Sequence, residues 1–273
     1  MKKSLAIVAA AGVAGAMPAM ATIYTLEDGN SRAVVNDAGT LGGMTSWVVD
    51  GVENLTLQGF WFRTNTMSSE RNIGTLPLVG FVHTDTNGIS DPRADTLRLR
   101  YDGGGYFIET RWSLRGGTSG SFTSDIAETI SIINTSNQPL IISFFQYSDF
   151  DLGGTVTDQS LSIGGPGSQV VSQSDLGFIA NETVVTPGPT AYEVGFVPGL
   201  LNRLNDGAVD NLANAGGPIG PGDLSWAYQW DFVIPAGQSR IISKDKQIVP
   251  APGAFALLGL GGAVLLSARG KRR

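Results

Sequence analysis

Alternation of apolar and polar residues with period two runs through most of the chain and predicts strands. Leu97, Leu99 and Tyr101 alternate with Arg98 and Arg100. After Asp102-Gly103-Gly104-Gly105, Tyr106, Ile108, Trp112 and Leu114 alternate with Phe107, Glu109, Arg111 and Ser113. That pattern predicts a hairpin with one apolar face. Upstream, Asp50-Gly51 interrupts the segment from Thr45 to Thr64. Both turn residues tolerate positive φ, so a second hairpin is expected there. Ile126 to Ile133 and Leu140 to Phe150 form a third pair around Thr135–Gln138. Apolar residues fall on both parities in that pair, so both faces are expected to be covered. Leu224, Trp226, Tyr228, Trp230, Phe232 and Ile234 then share one face, Pro235-Ala236-Gly237 turns, and Arg240 to Ile248 returns.

Helical spacing occurs once in the body of the chain, at Leu200, Leu201, Leu204, Ala208 and Leu212. Asp206-Gly207 should split that stretch into two short pieces. Pro187-Gly188-Pro189 and the run from Gly216 to Gly222 read as loops. No fixed-period repeat and no break in composition marks a second domain. The expected fold is all-β: a single antiparallel β-sandwich of about ten to thirteen strands with one or two short helices.

The two ends depart from this pattern. Lys2 and Lys3 precede an uncharged run from Leu5 to Met17, and Ala19-Met20-Ala21 follows. This order is that of a secretory signal peptide over residues 1–21, with cleavage by signal peptidase after Ala21. At the other end Ala254 to Ala268 is uncharged and precedes Arg269, Lys271, Arg272 and Arg273. As a helix it would span ~22 Å against a hydrocarbon core of ~30 Å. A start near Val249 would lengthen it enough, and Pro250 and Pro252 fit a first helical turn. The basic cluster would stay cytoplasmic, which places residues 22–248 outside the inner membrane.

Val249-Pro250-Ala251-Pro252, the apolar run and the terminal basic cluster together resemble the PEP-CTERM protein-sorting signal. The resemblance covers residues 249–273, and Ala251 stands where that motif has glutamate. It implies recognition by an exosortase-type membrane protease and removal of the tail. Delivery to the surface or extracellular matrix of a Gram-negative-type bacterium would follow.

Removing both ends changes the charge. The full chain has 18 basic and 24 acidic residues. Six of the basic residues and none of the acidic ones lie in the ends, so the body carries 12 against 24, a net −12. Such a surface repels nucleic-acid phosphates and excludes nucleic acid as a partner. The chain has no cysteine, which excludes thiol catalysis and cysteine metal sites, and one histidine, His83.

His83 shares a face with Val79 and Phe81, which reads as a strand histidine bonded to a nearby backbone group. No Gly-x-Ser-x-Gly accompanies it. Glu128 shares parity with Ile126, Ile130 and Ile132 and should point inward. Asp149 and Asp151 share a face with Tyr147. Brought together in a cleft, Glu128 and this pair would suit acid–base cleavage of a sugar linkage. The structural alternative bonds Glu128 to an arginine such as Arg111. Asp149-x-Asp151-x-Gly153 begins like a calcium loop, with Gly153 in place of a third oxygen ligand. Asp85, Asn87 and Asp91 make a second oxygen-rich loop, and both also read as plain turns. The ladder Trp226, Tyr228, Trp230 and Phe232 is either core or a sugar-stacking platform.

Pro139 to Gly154 is similar to a strand of aldose-epimerase-type supersandwich proteins, through Tyr147-Ser148, Phe150, Leu152 and Gly154. The histidine of that motif is absent, with Gln146 or Tyr147 near its place. The resemblance implies a supersandwich fold and carries no epimerase activity. The expected function is that of an exported, non-catalytic β-sandwich with a structural or adhesive role beside extracellular polysaccharide. A carbohydrate-active enzyme using Glu128 with Asp149 or Asp151, and a calcium-stabilised surface-layer component, are the alternatives.

Overall fold

The computed structural model describes residues 21–88 and 91–252. Among the described residues eighteen strands form two antiparallel sheets of nine. The first sheet orders β1 (Ile23–Asp28), β2 (Ser31–Asn36), β3 (Gly43–Val49), β5 (Leu57–Thr64), β11 (Leu140–Asp149), β17 (Leu224–Ile234) and β15 (Ala191–Phe196). Two short strands extend it: β4 (Val52–Glu53) pairs with β3, and β6 (Arg71–Asn72) pairs with β5. The second orders β16 (Ile219–Gly222), β12 (Gln159–Gly164), β13 (Val170–Ser174), β14 (Phe178–Thr186), β18 (Ser239–Pro250), β10 (Ser124–Asn134), β9 (Tyr106–Gly116), β8 (Thr96–Asp102) and β7 (Leu78–Thr84). The all-β sandwich expected from the alternation is therefore present. Its strand number exceeds the expected one because pieces as short as β4, β6 and β16 show no alternation to read.

The predicted hairpins form where the turn chemistry allows. Asp50 and Gly51 take φ of 48° and 81°, the doubly positive pair that a tight hairpin needs. Leu97, Leu99, Tyr101, Ile108, Trp112 and Leu114 are all buried on the inner face of β8 and β9. Between the sheets, Phe60 stacks on Phe144 at 5.6 Å and meets Trp112 of the opposite sheet at 6.1 Å. Trp226, Tyr228 and Trp230 are 0–1 % exposed, and Trp226 stacks on Phe150 at 5.2 Å and 16°. The ladder is core, and the sugar-stacking platform is ruled out: alternation gave the shared face of β17 but not the side it looks toward.

The expectation of two covered faces holds for β11. Its outer residues Phe145 and Tyr147 pack with Leu57, Trp61 and Ala227 under Leu200, Leu204 and Leu212. That cover contains α1 (Gly199–Arg203), a five-residue helix. The second helical piece does not form. Gly207 takes φ 83°, and beyond it the chain runs irregularly until Ala215 bridges Glu193.

Val249 and Pro250 close β18, paired with Ile179 and Phe178, and the Ala251 amide donates to Gly177 O at 2.8 Å. A helix does not begin at Val249. Residues 1–20, including Lys2, Lys3 and Ala19, and residues 253–273, including Arg269, Lys271, Arg272 and Arg273, lie outside the described residues. Among the described residues no helix is long and apolar enough to cross a membrane.

Candidate functional site

Glu128 points inward from β10, as its parity predicts, but it is not in a cleft. It is 1 % exposed and ion-paired to Lys246 and, at 2.6 Å, to Lys244. Gln58 of the first sheet donates to the same Oε2 that Lys244 contacts, at 3.2 Å. Arg111 lies exposed on the outer face, so the expected arginine partner is corrected to two lysines of β18. Asp149, on β11, occupies the parity of Phe145 and Tyr147, facing away from the sandwich interior. Glu128 and the aspartates therefore lie on opposite sides of the first sheet and cannot act as one acid–base pair.

The aspartates gain a different neighbour. β11 ends at Asp149, and Asp151 follows it before a short 3₁₀ turn. Antiparallel pairing sets Ser225 of β17 opposite Asp149, which brings Asp223, just before β17, to the same rim. One carboxylate oxygen from each of Asp149, Asp151 and Asp223 falls within 4.8 Å of the others. Thr56 donates to Asp151, and Tyr147 donates its hydroxyl to Asp149 Oδ2 at 3.4 Å. Asp149 is 5 % exposed, and its Oδ1 has no hydrogen-bond partner among the described residues. Burial, reinforced by the charges of Asp151 and Asp223, pushes the Asp149 carboxyl up to about 7. Burial and then Asp151 raise Asp223 as well. Asp149 and Asp151 were legible as a spaced pair. Asp223 was not, because only the β11–β17 register brings it near.

The other candidates resolve as structural. Asp85 caps its own turn, accepting from the Asn87 and Gly88 amides at 3.0 and 2.9 Å. Asn87 donates to Asp28 at 2.7 Å, and the Arg93 guanidinium holds Asp91 down at about 2. Asp85 Oδ1 and both Asp91 carboxylate oxygens are therefore engaged in local bonds. His83 is exposed on β7 and donates from Nε2 to Thr25 O at 2.9 Å, the backbone bond expected of it.

A cleft of about 470 Å³ opens at the far end of β11, lined by Phe62, Asn65, Arg71, Tyr106, Asn134 and Leu140 among others. Its size suits a small ligand. Ten residues of β11, ~30 Å of strand, separate it from the carboxylate trio.

No family model and no curated protein matches the chain. Solved structures do share its fold. A bacterial glucoamylase solved with acarbose aligns over 90 % of this chain with a TM-score of 0.57 at 8 % identity. The chain spans 36 % of that enzyme's length. A candidate aldose 1-epimerase from Escherichia coli K12 aligns over 85 % of this chain and 100 % of its own, with a TM-score of 0.52 at 11 % identity. The likeness noted over Pro139–Gly154 thus extends to the fold as a whole. These neighbours are carbohydrate enzymes by name, and they overturn the expectation of a non-catalytic structural body. That expectation rested on the two end signals, the strand pattern and a poverty of catalytic side chains, and the convergence of Asp223 on Asp149 and Asp151 removes the last of these.

Proposed function

We propose that this protein is a carbohydrate-active enzyme that cleaves a sugar linkage by acid–base catalysis at Asp149, Asp151 and Asp223. The observation that carries the proposal is a carboxyl group poised near neutrality within 4.8 Å of two others. Near pH 7 Asp149 holds a proton for part of the time and can deliver it to a leaving oxygen. Asp151, bonded to Thr56 and partly open to solvent, is the group placed to stabilise or attack the sugar. Close spacing is the arrangement of retaining enzymes, ~5 Å, rather than the ~6.5–9.5 Å that admits a water between the groups. The fold shared with a glucoamylase supports the substrate class.

The test is release of reducing ends from a panel of bacterial and plant polysaccharides by the purified protein. Asp149→Asn and Asp151→Asn should each lower the rate ~10²-fold or more. Activity should fall as pH rises through about 7, where Asp149 gives up its proton. Absence of product from every substrate, or full activity in Asp149→Asn, overturns the proposal.

The same cluster favours a second reading, a calcium site, because the buried Asp149 Oδ1 has no hydrogen-bond partner among the described residues and Asp149 lies beside Asp151 and Asp223. Calcium and the proton compete for that oxygen. A melting point raised by Ca²⁺ and returned by chelator supports the cation, and an unchanged one removes it.

The route rests on the sequence of the ends. We propose export by signal peptidase, passage through the inner membrane, and sorting by an exosortase-type protease to the surface or matrix, where polysaccharide is at hand. A protein found intact in the cytosol would sink this part.

A further inference from the structure

Between the sheets lies a group of charges that the proposed reaction does not use. Glu128 (β10), Glu182 (β14) and Lys244 and Lys246 (β18) form a square on the inner face of the second sheet. Lys244 is directly opposite Glu128, and Lys246 directly opposite Glu182. Gln146 of β11 reaches into it from the first sheet. All five residues are 0–1 % exposed.

Two plus and two minus charges balance, yet a buried ion pair is often no more stable than the apolar residues that could replace it. The arrangement around Gln146 is more specific than charge balance requires. Lys244 Nζ lies against Gln146 Oε1 and 2.6 Å from Glu128 Oε2. Gln146 Nε2 donates to both oxygens of Glu182, at 2.7 and 2.9 Å. An amine, a proton acceptor for it, a carboxamide and a carboxylate at the leaving nitrogen are thus assembled away from the surface.

We propose that Lys244 and Gln146 join in an intramolecular isopeptide bond that staples the two sheets. The Glu128 carboxylate takes one proton from the Lys244 ammonium and frees the amine. The amine lone pair attacks Gln146 Cδ, forming the new C–N bond. Glu182, 3.6 Å from Lys244 Nζ and bonded to Nε2, carries a second amine proton across to that nitrogen. The Cδ–Nε2 bond breaks and ammonia leaves, taking the proton held on Glu128 as ammonium. One carboxamide replaces another, and no oxidant or reductant is needed. Lys246 holds both carboxylates in place, paired to Glu128 and 3.7 Å from Glu182. The Lys244 and Lys246 charges outweigh burial and hold the Glu128 carboxyl below its ordinary range, so it begins the step ionised. In a chain without cysteine this bond would do the work of a disulfide, closing a long loop and restricting the unfolded state.

The experiment is mass spectrometry of the purified protein, first intact under denaturing conditions and then after trypsin. The expected result is a mass lower by one ammonia and a branched peptide joining Gln146 to Lys244. Glu182→Gln and Lys244→Arg should each restore the full mass. An unmodified mass overturns the proposal. So does ammonia loss without the branched peptide, as from a succinimide at an asparagine, and so does a branch at any other pair. The wild-type measurement decides even if a variant fails to fold, and its result is independent of any sugar chemistry.

Discussion

Glu128 and Glu182 lie between the two sheets, and Asp149, Asp151 and Asp223 lie at the end of one of them. Both sets contain carboxylates withdrawn from water. The interior pair faces Lys244 and Lys246, with Gln58 and Gln146 bonded to what remains. The charges that act on Asp149 at the rim are those of two more carboxylates. Opposite charge drives Glu128 below the ordinary range, whereas burial and like charge drive Asp149 above it. Burial alone therefore does not distinguish a structural acid from a reactive one. The sign of its neighbours does, because that sign decides whether the proton is held at neutral pH.

The comparison can be broken most directly in the interior. Lys246→Met leaves Glu128 and Glu182 with Lys244 alone, and with no cation once Lys244 is bonded to Gln146, and removing one partner of a buried pair costs about 3–5 kcal/mol. Urea unfolding should show a loss of that size. Adding Glu182→Leu to Lys246→Met removes the stranded charge and should recover part of it. A double variant no more stable than the single would show that the square is not held by charge pairing.

At the rim the effect should run the other way. The native state keeps the Asp149 proton to about 7, whereas an unfolded aspartate releases it near pH ~3.9. Between those values the native state binds more protons than the unfolded one. Asp149 therefore supports folding fully below about pH 4, and that support is lost as pH rises through about 7. Three units at about 1.4 kcal/mol each bound the change at about 4 kcal/mol. Asn has no charge to desolvate, so Asp149→Asn should be more stable than the wild type at pH 8 and should flatten the pH dependence between 4 and 7. An equal or lower melting point at pH 8 would contradict the raised carboxyl.

What could be read in advance follows the range over which each feature is encoded. Alternation and turn chemistry are local, so the β8–β9 hairpin and the Asp50-Gly51 turn were legible. Parity placed Glu128 inward and put Trp226, Tyr228 and Trp230 on one face. Parity does not say which strand lies opposite. That is why Arg111, one strand away but on the other face, was offered as partner in place of Lys244. The same limit left the aromatic ladder undecided between core and platform. Lys244 and Lys246 share parity with Ile242 and Ile248, a readable sign of buried lysine. Asp223 carried no comparable sign, since its place beside Asp149 depends on strands far apart in the chain.

The smallest effect sharpens the rim itself. Three causes raise Asp149: burial first, then Asp151, then Asp223. Asp151→Asn should therefore lower the Asp149 midpoint more than Asp223→Asn does. Neither should return it to the ordinary aspartate range, because burial survives both changes. Carbon-13 NMR of the carboxyl groups, titrated from pH 3 to 9, measures the midpoint in each variant. A fall to the ordinary value on removing one neighbour would make like charge, not burial, the main cause. Asp149 would then be comparable to a surface carboxylate in a crowded cluster, and the contrast with Glu128 would reduce to the charge of its partners.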